Sequence, residues 1–168
     1  MIKKIIFLLL VVFLSFSSCE KDDICSATTS TTPRLVIQFY DFNNPSVLKE
    51  TDNLKIIGEG MSEGIDFNGN ENTVSVSLKT TENSTTYSFI LNSTSTTLRN
   101  EDVLRFNYVR ENLYVSRACG FKTVFDLDPI NPYVLTDAAT PDVLWIKAIS
   151  VEKKSIDNEN ETHVKIYF

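Results

Sequence analysis

Apolar residues recur at every second position through nearly every readable stretch of the chain, and this alternation constrains the fold more than any other feature. Leu35, Ile37 and Phe39 alternate within residues 34–40, and Val74, Val76 and Leu78 within 73–79. Tyr87, Phe89 and Leu91 do so within 85–91, and Leu104, Phe106 and Tyr108 within 103–109. Side chains two positions apart share one face of a strand, so each run reads as a strand with a buried and a wet face. Further strands are predicted at 54–57, 113–117, 122–126, 143–151 and 164–168, in runs rich in Val, Ile, Phe, Tyr and Thr. Turn-type clusters separate them: 41–45, 66–70, 82–84, Glu111-Asn112 and 157–160. Outside the N-terminal leader no stretch carries an apolar stripe at helical spacing. The pattern predicts an all-β fold, an antiparallel β-sandwich of about nine strands, with a closed β-barrel as the alternative.

The N-terminus is organised differently. Lys3 and Lys4 precede an unbroken apolar run from Ile5 to Leu14, then Ser15-Phe16-Ser17-Ser18 and Cys19. Ten apolar residues rise only about 15 Å as a helix, half of a ~30 Å hydrocarbon core, which suits a signal peptide better than a membrane anchor. The segment resembles the lipobox of bacterial lipoproteins, with Ser18 at the cleavage position and Cys19 as lipid acceptor, and departs from it in having Phe16 where Leu is usual. Cys19-Glu20-Lys21-Asp22-Asp23 resembles the acidic signal that exports some Bacteroidota lipoproteins to the outer face of the outer membrane. The resemblance implies an export role for Lys21, Asp22 and Asp23. The alternative is a solvated tether on the periplasmic leaflet. The organisation expected is a signal peptide over 1–18, a lipidated acidic and Ser/Thr-rich tether over 19–33, and one β-sandwich domain over 34–168. Its expected partners are the membrane, through lipid on Cys19, and the lipoprotein processing and export machinery.

Charge and rare residues narrow the function. Sixteen basic against 22 acidic residues give a net charge of −6, more acidic still once Lys3 and Lys4 leave with the leader. A phosphate backbone calls for a basic face, so nucleic acid is not an expected partner. Cys25 and Cys119 would meet an oxidising compartment and are predicted to close a disulfide, two unpaired thiols being the alternative. For so long a loop the chain-entropy model gives about 4–5 kcal/mol. Closure would also leave a tether of about six residues after Cys19, a reach of about 20 Å.

Motif-like patterns give no catalytic, metal or cofactor assignment. Gly60-Met61-Ser62-Glu63-Gly64 has the literal form of a nucleophile elbow, but no helix follows it and the chain holds one histidine. The stretch from Gly58 is one residue out of register for dinucleotide binding. Residues 66–72 open like a calcium loop but carry Glu71 where glycine must turn and Ser77 where the bidentate Glu belongs. His163 has no Cys or His neighbour and reads as a half-exposed strand histidine. Asn83, Asn92 and Asn160 begin sequon-like triplets, and no spacing singles out one pair of glycosidase carboxylates.

Three segments together carry a wider likeness: residues 19–25, Thr32-Pro33-Arg34 running on to Asp41, and Val115-Ser116-Arg117-Ala118-Cys119-Gly120-Phe121-Lys122. In these the chain resembles an uncharacterised family of Bacteroidota outer-membrane lipoproteins carried as a domain of unknown function. The resemblance implies a small β-type envelope lipoprotein with two matching cysteines, and assigns no catalytic or binding residue. The function expected is a non-catalytic binding or accessory module at the cell surface, with an envelope protein or glycan as partner. The alternative is a structural or assembly factor on the periplasmic face of the outer membrane. If strands alternate in direction, 41–53 and 127–142 meet at the pole opposite the Cys119 turn, and Phe42, Ile130 and Tyr133 become a candidate binding surface. Alternatively the 127–142 loop folds back as a cap on the core.

Overall fold

The structure is a computed structural model that describes residues 24–168 apart from Asn68 and Asn70. The leader, Cys19 and the Lys21, Asp22 and Asp23 signal lie outside the described residues, as does part of the calcium-like loop. Eleven strands are present: β1 (Leu35–Tyr40), β2 (Leu54–Gly58), β3 (Ile65–Phe67), β4 (Thr73–Val76), β5 (Ser84–Leu91), β6 (Asn100–Ser116), β7 (Gly120–Leu127), β8 (Tyr133–Asp137), β9 (Ala148–Val151), β10 (Ser155–Ile156) and β11 (Val164–Tyr167). No helix occurs among the described residues, and the fold is all-β and sandwich-like. The described chain falls into two compact units, a larger one of Ser30–Leu113 with Lys122–Phe168 and a smaller one of residues 24–29 with Tyr114–Phe121.

In the larger unit a four-stranded sheet runs β4-β1-β11-β9, and a second sheet runs β10-β7-β6-β5-β2-β3 with β8 also paired to β6. The alternation read from the sequence is what the core uses. Leu35, Ile37 and Phe39 of β1, Phe89 of β5, and Leu104 and Phe106 of β6 are at most 1% exposed. Each contributes about 1.5–3 kcal/mol of apolar burial. Trp145 stacks edge-on against Phe168 at 5.3 Å and donates its indole N–H to the Phe89 carbonyl. β1 lies inside its sheet, so Val36 on its opposite face is buried as well.

Several sequence expectations are revised. β1 and β11 pair in parallel, Ile37 with Val164 through Tyr40 with Tyr167. Antiparallel order follows from hairpins, and the first and last strands share none. Glu111 and Asn112 are not a turn, because β6 runs straight through them and Asn112 takes a hydrogen bond from Thr123 across the pair. The strand begun at Thr73 stops at Val76, although Leu78 is still buried. Residues 143–151 are not one strand. Val143 sits at φ 79°, costly for a β-branched residue, and held there by Asp137 and Asn100 it turns the chain so that only β9 is extended. β3 and β8 lie where the sequence predicts a turn at 66–70 and a loop at 127–142, and β10 lies in a stretch for which the pattern predicts no strand; each is short, and Pro132 directly precedes β8.

Candidate functional site

β6 carries two successive partners on one side. Asn107 donates its N–H to the Pro132 carbonyl and accepts from the Asp128 N–H, and the Glu101 carbonyl accepts from Ala138. Odd-numbered residues of β6 in this stretch therefore turn their main chain toward β8. With Arg105 opposite Val134 and Val103 opposite Thr136, alternation points the N–H and C=O of Tyr133 and Leu135 away from β6. No described residue bonds those groups.

β9 ends the other sheet and has the same character. Phe168 gives both main-chain groups to the β1 side, while the Tyr167 carbonyl faces Lys147. Alternation then directs Ser150 to β11 and leaves the main-chain groups of Ile149 and Val151 facing outward. The Tyr133 hydroxyl, which donates to the Ile149 carbonyl at 3.2 Å, is their one partner among the described residues. Between the two edges lies a cleft of about 570 Å³, bounded by residues 129–133 and 149–151, with no charged side chain in its lining. Tyr133, Ile149 and Val151 are half-buried there and pack on the core, as does Leu135 farther along β8, so the core comes to the surface along this seam.

The candidate binding residues divide accordingly. Ile130 and Tyr133 meet at this cleft, Ile130 being 83% exposed in a loop whose turn is held by the Asp128 carboxylate on the N–H groups of Ile130 and Asn131. Phe42, half-exposed beyond β1, donates its N–H to the Phe168 carbonyl and does not line the cleft. The 127–142 segment is neither a free loop nor a simple cap: Leu127 ends β7 in the core, β8 occupies its middle, and Ile130 is open to solvent. Ile149, Ser150 and Val151 were not singled out by sequence. The period-two order of Tyr133 and Leu135 was the available signal for β8, while the β9 edge needed the strand order.

A second, more apolar pocket of about 400 Å³ lies among Ile56, Met61, Gly64, Ile65 and Tyr87. It contains the segment of nucleophile-elbow form, but Gly60 at φ 80° leads into β3 rather than a helix. Gly64 is required by contact, since a Cβ there would lie 2.5 Å from the Ile56 carbonyl oxygen. The Tyr87 hydroxyl bonds the Ser77 carbonyl, and burial pushes it up to about 12.

Two ionisable groups are sealed in the larger unit. Asp102 is fully buried, accepts from the Ile146 N–H at 2.8 Å through Oδ2, and leaves Oδ1 unpartnered. Burial, helped by nearby Asp137 and Asp142, pushes its carboxyl up to about 6. His163 is not half-exposed but fully buried, because its flanking segment lies against β1. Its Nδ1 accepts from the Val36 N–H at 2.9 Å, its main-chain N–H donates to the Val36 carbonyl, and its Nε2 is left without a partner among the described residues. Burial holds it below the ordinary histidine range. Asp66, which opens the calcium-like loop, pairs with Lys55. Among the described residues no cluster of three or more His, Cys, Asp or Glu could hold a metal ion.

The smaller unit is built around the Cys25–Cys119 disulfide, S–S 2.01 Å with Cα atoms 4.9 Å apart. The Cys119 N–H bonds Ser116 Oγ, Gly120 turns at φ 70°, and Tyr114 meets Phe121 edge-on at 5.4 Å.

No curated protein and no solved structure shows a significant match to the chain. A family described only as being of unknown function matches residues 53–168, a span that takes in β2 through β11 and hence both edges of the cleft. The chain, an all-β protein with a half-open seam between two strand edges, belongs to this family, DUF6452.

Proposed function

We propose that the protein is a lipid-anchored lipoprotein of a Bacteroidota envelope, a non-catalytic binding or accessory module at the cell surface that holds its partner at the β8/β9 cleft. The cleft carries this reading: an uncharged opening where core side chains reach the surface, with Ile130 projecting at its rim. Concave surfaces that set apolar side chains beside unpaired polar groups are a usual form of binding sites. The perturbed Asp102 and His163 are shut away from solvent, which favours a structural over a catalytic role for both. Anchoring is supported by the lipobox form ending at Cys19, and passage through an oxidising compartment by the Cys25–Cys119 bond.

Anchoring and binding are tested separately. Cys19→Ala is expected to release a soluble or unprocessed protein, and joint replacement of Lys21, Asp22 and Asp23 by Ala to leave it lipidated but shielded from protease added to whole cells. A wild type shielded on intact cells and cleaved after lysis would favour the second reading, a structural or assembly factor on the periplasmic leaflet, for which the open strand edges also speak. Ile130→Asp is expected to weaken binding of envelope extract components at least tenfold with unchanged thermal stability. Unchanged binding would remove the cleft from the reading.

A further inference from the structure

Resting on that reading of the cleft, we infer that its occupant is an extended polypeptide segment, uncharged and apolar at alternate positions, which inserts as a strand between β8 and β9. The start of β8 and the strand β9 meet across the cleft, with outward main-chain donors and acceptors at Tyr133 on one side and at Ile149 and Val151 on the other, and those of Leu135 continue the β8 edge beyond it. Tyr133 bridges them with its side chain, not its backbone, as strands set wider than the ~4.8 Å pairing distance must. One added strand would pair with both edges and join the two sheets, the β-augmentation mode of peptide capture.

The side chains specify what such a strand carries. Every second residue of the insert would point to the core side and meet Tyr133, Leu135, Ile149 and Val151, all half-buried and packed on the core. Nothing charged lines the cleft, so a charge at those positions would be desolvated without a counter-ion. The intervening residues would emerge beside Val134, Thr136 and Ser150, where polar side chains are accommodated. In the empty cleft the Tyr133 hydroxyl supplies to Ile149 the hydrogen bond that an inserted N–H would make, so Tyr133 acts as a placeholder that must swing aside.

The test selects binders to the full chain from a random library of about nine-residue peptides and follows amide hydrogen exchange with and without the best binder. Enriched peptides are expected to be apolar at alternate positions, to lose binding when alternate amides are N-methylated, and to slow exchange at Tyr133, Leu135, Ile149 and Val151 at least tenfold. Val151→Pro, which removes an outward donor while sparing the β9–β11 ladder, is expected to abolish capture with the fold intact. Tyr133→Phe is expected to tighten binding about fivefold, the worth of one competing hydrogen bond. No enriched peptide, binders indifferent to N-methylation, or protection elsewhere would overturn the inference. So would these amides already being protected in the free protein in a concentration-dependent way, which would mean a second copy fills the seam. A set of envelope oligosaccharides run in parallel separates the two claims. Oligosaccharide binding lost in Ile130→Asp without any peptide binder would sink the strand and keep the cleft, and binding of neither would sink both.

Discussion

The two units are ordered by different means. In the larger one Leu35, Ile37, Phe39, Leu54 and Phe89 have no exposed surface, and burial does the work. In the smaller one no described residue is buried, Tyr114 and Phe121 are both mostly exposed, and the bond between Cys25 and Cys119 takes the place of a core. A cross-link acts chiefly by restricting the unfolded chain and a core by removing apolar surface from water. The two units should therefore fail under different insults.

The largest effect should come from the core. Phe106→Ala is expected to destabilise by about 3–5 kcal/mol in denaturant titration, with the disulfide still formed. A loss below about 1 kcal/mol would mean that the larger unit is not held by burial. Next is Cys25→Ser with Cys119→Ser, expected to cost about 2–5 kcal/mol. Hydrogen exchange should show amides of residues 24–29 and Tyr114–Phe121 deprotected under native conditions while β1 and β11 stay protected. Uniform loosening of both regions would erase the distinction.

A pH effect should belong to the larger unit alone. Asp102 is raised from the unfolded 3.8 to about 6, so its contribution is fully present below about pH 4 and lost as pH rises through 6. That is about 3 kcal/mol at ~1.4 kcal/mol per pKa unit. His163 is lowered from 6.5, so its contribution is present above pH 6.5 and lost on acidification below it. Between pH 7.5 and 5 the two oppose each other. Asp102→Asn should leave a protein that only loses stability on acidification, and His163→Asn, which can still accept from Val36, one that only gains it. Identical pH profiles for the two variants would refute the burial account. The smallest effect concerns strain: Val143→Gly should stabilise by about 1 kcal/mol by relieving a left-handed β-branched residue that is largely exposed, and a loss would show that Val143 is held by packing instead.

By itself the sequence determined the strand class of the protein and most of its inward-facing side chains. In the first half of β6 side-chain period and burial coincide, because the strand geometry that writes the alternation is local, whereas in β1 and β5 Val36 and Ile90 are buried on the opposite face as well. It also pointed to the Cys25–Cys119 bond, since reading Cys19 as the lipid acceptor leaves just these two of the three cysteines. What tertiary structure decided was everything set by partners distant in the chain. The parallel seat of β11 against β1, the burial of His163 behind Val36, and the turn at Val143 depend on contacts no window of sequence contains. The candidate site is the extreme case. Tyr133 and Ile130 could be proposed from their loop, but a cleft exists because β8 and β9 end two different sheets facing one another, and whether a main-chain group is paired depends on strand order, which local periodicity does not encode.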